Sequence, residues 1–186
     1  IGPMMEAARM IAKSGAKPKR TILFIGFAGE EFGLLGAQAW VKAHKDKLPK
    51  IANLFNRDGG PEPPVGISVP QAMYDDFVKI SEPIQKIRPD YPFEVKVREP
   101  RKRPTRMGGT DASVFAIEGV PTLGFTTEDF KGYDFDYGEI WHTERDLYTK
   151  NIPEYQEHTA TVTAIIALGV ANLDKQLSRE GLYTEE

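Results

Sequence analysis

The sequence predicts an α/β fold, a three-layer α/β/α sandwich around a mostly parallel mixed sheet. Three observations carry that prediction. Short apolar strand patterns alternate with helical ones along the chain. Ile22 to Ala28 is continuously apolar, as in a strand covered on both faces by helices. Met73, Phe77, Ile80, Ile84 and Ile87 step by three and four, the spacing of one helix face.

The elements follow in order. Pro3 to Lys13 reads as a helix with Met4, Ala7, Ala8 and Ile11 on one face, ended by Ser14-Gly15. Ile22 to Ala28 is the first strand. Glu31 to Lys45 reads as a helix with Leu34, Leu35, Ala39 and Val41 inward. Ile51 to Phe55 is a second apolar strand, and Asn56 to Gly60 a polar turn. Val65 to Val69 is a third strand. The helix through Met73 to Ile87 holds Pro83, which should kink it. Phe93 to Val97 alternates like a half-buried strand. Arg98 to Gly109 is a basic loop, Ala112 to Ile117 a short helix, and Val120 to Phe125 a further strand. Thr126 to Ile140 reads as an acidic, aromatic loop. Asn151 as a cap, with Glu154 three residues on, starts a long final helix reaching Leu177.

At 186 residues the chain is expected to be one domain, or one large piece of one. Its 24 basic and 27 acidic residues give a net charge of −3, so no basic footprint points to nucleic acid. The longest apolar run, Ile22 to Gly29, is far below the roughly 20 residues of a membrane helix. With no cysteine, disulfides and thiolate metal sites are excluded.

The chemistry-bearing residues fall near strand ends, where open α/β sheets bind ligands. Glu30 and Glu31 follow the first strand. Two like charges there lose water and repel each other, and a metal cation makes the pair tolerable. One acid can bind metal while the other takes a proton from water. The alternative is a pair of helix N-terminal acids favoured by the dipole. Asp58 follows the second strand as a metal ligand or a turn-forming aspartate. His142, in Glu-Ile-Trp-His-Thr-Glu-Arg-Asp, is a ligand or a core histidine. Asp146 or Glu144 could orient its second ring nitrogen. His44 and His158 read as solvated or structural. Asp111, after Gly108-Gly109-Thr110, is a helix cap or part of a substrate pocket. No Gly-x-Ser-x-Gly elbow, dinucleotide fingerprint or His-Glu-x-x-His motif occurs.

Four segments together resemble the co-catalytic, dinuclear zinc aminopeptidases, a family that includes bacterial leucyl aminopeptidases and relatives of glutamate carboxypeptidase. They are Phe-Ala-Gly-Glu-Glu-Phe-Gly-Leu-Leu-Gly-Ala, Asn-Arg-Asp-Gly-Gly, Gly-Gly-Thr-Asp-Ala-Ser-Val-Phe and Trp-His-Thr-Glu-Arg-Asp. The resemblance implies a phosphorylase/hydrolase-like sandwich and a zinc-dependent exopeptidase acting on peptide or aminoacyl substrates through a metal-activated water. It implies Glu30 as general base, Glu31 and His142 as ligands of one Zn2+, and Asp58 as ligand of a second. Thr110 and Asp111 would line the substrate site, with Asp146 behind His142. It also implies an exported, periplasmic or extracellular setting.

The sequence departs from the family at one place. Residues 1 to 29 contain no histidine and no aspartate, so the family's His-x-Asp element and its bridging aspartate have no counterpart before Glu30. The expectation is a truncated catalytic domain over residues 1–186, with N-terminal strands missing, an open sheet edge prone to self-association, and no activity by itself. Two other readings remain: a catalytically dead α/β module that binds peptides or a partner, and a glutaminyl-cyclase-like zinc acyltransferase.

Overall fold

The structure is a computed structural model, and it describes residues 1–184. Helix α1 (Gly2–Lys13) opens the chain and packs on the last helix, burying Ala7. Helix α2 is Leu35–Ala43. Strand β1 (Pro64–Val69) leads to α3 (Tyr74–Ile87), which runs through Pro83, and then to β2 (Glu94–Val97). Helix α4 (Ala112–Ile117), strand β3 (Phe125–Thr127), the short α5 (Tyr137–Ile140) and the long α6 (Pro153–Asn172) complete the order.

The sheet is mixed, in the order β2-β1-β3. β1 runs parallel to β2, from Gly66 opposite Glu94 to Val69 opposite Val97. It runs antiparallel to β3, with Ile67 opposite Phe125. Ile67 and Val69 point into the larger core with Phe77, Ile80 and Ile84 of α3 and Val162, Ile166 and Val170 of α6. A second core joins Ala37 and Val41 of α2 to Val114 and Phe115 of α4, with Phe27, Ile51 and Leu54 against it. The α/β class read from the sequence stands.

Several elements differ from the sequence expectation. The run Ile22 to Ala28 is not a covered strand. Thr21 to Phe27 make no backbone–backbone hydrogen bond among the described residues, and Leu23 is 63% exposed. A ladder needs a partner as well as β-branched residues, and none pairs here. The strand at 51–55 reduces to one parallel bridge, Leu54 to Thr122, with the Leu54 N–H donating to the Pro121 carbonyl at 2.9 Å. The strand expected at 120–125 pairs from Phe125 onward instead.

Helix α2 starts at Leu35 rather than Glu31, because Gly33 and Leu34 both take positive φ (101° and 60°) and break the helical path. Within the expected loop 126–140, Tyr137–Ile140 coil into α5. α6 ends at Asn172; its cap position is Ile152, with no side-chain cap, so the Asn151 cap is not formed. Lys19 pairs with Asp174 at 2.6 Å, and Arg20 donates to the Leu173 carbonyl at 2.5 Å. Cations at a helix C-terminus suit its dipole, and they tie residues 19 and 20 to the end of α6.

Candidate metal centre

The turn after residue 28 explains how two adjacent acids come to be presented together. Gly29 takes φ 69°, a region that costs other residues a clash with their own Cβ. The Leu34 N–H then donates to the Glu30 carbonyl at 2.8 Å, and the Gly36 N–H to the Ala28 carbonyl at 2.9 Å. A Cβ at Gly36 would sit 2.7 Å from that same carbonyl oxygen, so glycine is required for the close approach. The tight turn leaves Glu30 half-buried and Glu31 exposed.

Asp58 comes from the turn beyond the Leu54 bridge. Arg57 braces that turn by donating to the Gly60 carbonyl at 2.6 Å and the Glu62 carbonyl at 2.5 Å. His142 follows α5. Its backbone is left-handed, φ 56°, an uncommon state for a non-glycine residue and one that concentrates at functional sites. Thr143 fixes the bend, its Oγ1 donating to the Glu139 carbonyl at 2.8 Å. The Trp141 ring lies 4.6 Å from the imidazole.

These loops meet. His142 Nε2 stands 3.1 Å from Glu31 Oε2. Glu31, Asp58, Tyr137, His142 and Asp146 line one cleft of about 460 Å³. The carboxylates feel one another. Loss of water, then repulsion by Asp58, Glu31 and Asp111, pushes the Glu30 carboxyl up, against a smaller opposing pull from His142. Loss of water and Glu31 push Asp58 up. Burial and Asp58 push Asp111 up. Such mutual repulsion is what a bound cation relieves.

Asp111 is 8% exposed and sits at the cap position of α4 without capping it; its Oδ1 is buried with no hydrogen-bond partner. Thr110 accepts from the Ser113 hydroxyl at 2.8 Å through its carbonyl. No hydrogen bond joins His142 to Asp146 or Glu144 among the described residues. Asp146 shares the cleft; neither acid holds the imidazole.

The other two histidines lie elsewhere. His158, read from sequence as exposed or structural, is fully buried on α6. Its ring stacks on Tyr91 at 4.0 Å, and Nε2 lies 3.0 Å from the Pro64 carbonyl. His44, read as solvated, is half-buried against Trp40 at 4.4 Å.

Neither of the two tyrosines that line the cleft, Tyr137 and Tyr148, is singled out by the sequence. Tyr137 belongs to the segment read as an acidic, aromatic loop. Its short spacing to His142 was the available signal.

The donors fit a divalent metal by chemistry: an imidazole with carboxylates that repel one another. Their geometry closes on the pair Glu31–His142. Among the described residues, no three histidine or acidic side chains converge tightly enough to hold one ion.

Paired acids on a turn, a distant histidine brought against one of them, and an α/β scaffold define the class, a metallopeptidase domain. The chain belongs to peptidase family M28, whose model matches residues 1–166. It is similar to carboxypeptidase Q of Mus musculus, 24% identical over 179 residues, covering 94% of this chain and 34% of that protein. It is 46% identical over 58 residues to a probable zinc metalloprotease of Pyrenophora tritici-repentis, 31% of this chain and 13% of that one. Its fold matches a peptidase M28 precursor from Shewanella amazonensis SB2B with TM-score 0.72 and 25% identity, over 95% of this chain and 37% of that one. It also matches the fold of a zinc aminopeptidase from Bacillus subtilis with TM-score 0.64 and 17% identity, over 98% and 43%. The chain spans about a third of the length of the carboxypeptidase Q relatives it matches.

Proposed function

We propose that the protein is a zinc-dependent exopeptidase of aminopeptidase type. The approach of His142 Nε2 to Glu31 Oε2 at 3.1 Å carries the reading, because it joins the two ends of the sequence signature in one cleft. In this reading Glu31 and His142 hold one zinc ion, and Asp58 contributes to a second. When bound, the metal supplies the positive charge that acidifies water and polarises the peptide carbonyl.

The chain's own groups do the rest. Glu30, its carboxyl pushed up by loss of water and then by its acidic neighbours, takes a proton from the attacking water and delivers it to the leaving amine nitrogen. Asp111, which feels the charge of Asp58, and Thr110 before it belong to the substrate side of this reading. Asp146 adds negative charge near His142. The cleft sets Glu31, Asp58 and Asp146 against Arg57 and a Lys150 already paired with Glu139, a balance that suits a substrate's cationic amino terminus better than a carboxylate. Export to the periplasm or the extracellular space belongs to the same reading, on the family resemblance.

The full-length product of the gene tests it. Hydrolysis of aminoacyl anilides that stops with a chelator and returns with zinc is the expected result. Chelator-insensitive hydrolysis overturns it, and cyclisation of glutaminyl peptides instead of hydrolysis would assign the acyltransferase chemistry. A second reading is a peptide-binding module without turnover, in which the Glu31–His142 pair shapes the cleft without holding an ion. Peptide binding with no hydrolysis at any zinc concentration would establish that one.

A further inference from the structure

We propose that the Tyr137 hydroxyl is a catalytic hydrogen-bond donor, placed to meet the carbonyl oxygen of the scissile bond as that oxygen gains negative charge. The inference rests on the peptidase reading above and adds a residue to it.

Tyr137 is fixed at both ends. It is the first residue of α5, where Asp136 caps the helix by accepting the Gly138 N–H at 2.8 Å. The Trp141 N–H donates to its carbonyl at 2.9 Å. Its ring lies over the backbone of Gly60, with Cδ2 2.9 Å from where a Cβ would stand. The same turn carries Asp58, and the same cleft holds Glu31 and His142. The hydroxyl itself makes no hydrogen bond among the described residues.

Burial and the fields of Asp58, Glu31, Asp146 and Glu30 push the phenol up, so it stays a neutral donor throughout the range in which the carboxylates are charged. The cationic groups and the other tyrosine lining the cleft are committed or adrift. Arg57 is bound to the carbonyls of Gly60 and Glu62. Lys150 is paired with Glu139 at 3.0 Å. Tyr148 is 91% exposed. Tyr137 is 41% exposed, with its ring against Gly60; a neutral donor among acids has most to gain where charge develops on an oxygen.

The chemistry balances without Tyr137 losing its proton. Water oxygen bonds to the carbonyl carbon, and the π electrons move onto the carbonyl oxygen, which accepts the Tyr137 hydrogen bond. As they return, the C–N bond breaks and the amine leaves with the proton carried by Glu30.

The test is Tyr137→Phe in the full-length gene product. Removal of one such donor is expected to lower kcat by about a hundredfold, with KM within about threefold and zinc content unchanged. Affinity for an aminophosphonate, whose tetrahedral oxygens mimic the charged intermediate, should fall in parallel with kcat/KM. Affinity for leucinamide should not move. A merely structural role would not separate those two ligands. Active wild type with unchanged kcat in Tyr137→Phe overturns the inference and leaves the peptidase reading standing. Loss of zinc or of folding in Tyr137→Phe also overturns it. Wild type without zinc-dependent hydrolysis overturns both.

Discussion

His142 Nε2 faces Glu31 Oε2 across 3.1 Å, and the two come from loops far apart in the sequence. The contact closes the cleft between the Glu30–Glu31 turn and the segment after α5. A two-donor pair is a weak metal site. Full sites in small zinc domains are stabilised by about 10–16 kcal/mol, with four ligands each. The 186-residue chain by itself is therefore expected to bind zinc with a Kd no tighter than about 10 μM, equivalent to about 7 kcal/mol. Either Glu31→Gln or His142→Ala should abolish that binding. Calorimetry on the chain checks both, and tight uptake of two ions by the wild type would refute the expectation.

The left-handed backbone of His142, φ 56°, has a stability consequence separable from its ligand role. An alanine there keeps the steric penalty of about 1–2 kcal/mol, whereas glycine does not. Both substitutions remove the imidazole. His142→Gly should therefore melt above His142→Ala by about 2–4 °C for a domain of this size. Equal melting temperatures would mean that the residue is not held at positive φ in solution.

Much of this architecture was legible because it is written in short-range periodicity. α1, α3 and β1 sit where their apolar spacing put them, since each buries one stripe or face against a neighbour. The Glu30–Glu31 turn was legible because an apolar run ending in small residues and two acids is unusual. The pairing of Ile22–Ala28 was not legible: hydrophobicity reports what could be buried, not which strand lies alongside. The sequence leaves His158 open between exposed and structural for a related reason, and the structural reading is the one found. α6 buries Thr159, Thr161 and His158 as well as its apolar residues, because α1, α3 and β1 all pack against it. A polar neighbourhood in sequence is then no guide to exposure.

The buried imidazole makes stability depend on pH. Desolvation holds His158 down to about 4 from its ordinary 6.5; Arg88 and Lys131 push it further down, while the Pro64 carbonyl and Asp90 oppose them. Between pH 6.5 and 4 the unfolded chain binds a proton that the folded chain refuses. Stability therefore rises with pH across that window and is lost as pH falls through it. The full effect is about 3 kcal/mol. Glu154 acts lower. Lys131, Tyr133 and Tyr91 hold its carboxyl down to about 2, so its contribution is present above 4.5 and lost as pH falls toward 2. Denaturant unfolding from pH 7 to 4 should show the His158 slope, and His158→Gln should flatten it. An unchanged slope in the variant would assign the loss to other groups.

Gly60 offers a structural test of the aromatic wall. A Cβ there would stand 2.7 Å from Phe135 Cε1 and 2.9 Å from Tyr137 Cδ2, closer than side chains pack. Both rings are held from behind, Phe135 by its N–H on Asp129 at 3.3 Å and Tyr137 by its place in α5. They cannot both retreat freely. Gly60→Ala is expected to cost about 1–3 kcal/mol, the range for overpacking a filled site. Trimming the nearer ring should return part of that cost. The double variant Gly60→Ala with Phe135→Leu should then be more stable than the sum of the single effects by about 0.5–3 kcal/mol, as residues in contact require. Strict additivity would separate the Asp58 turn from the α5 segment and remove the reason for a glycine two residues beyond that aspartate.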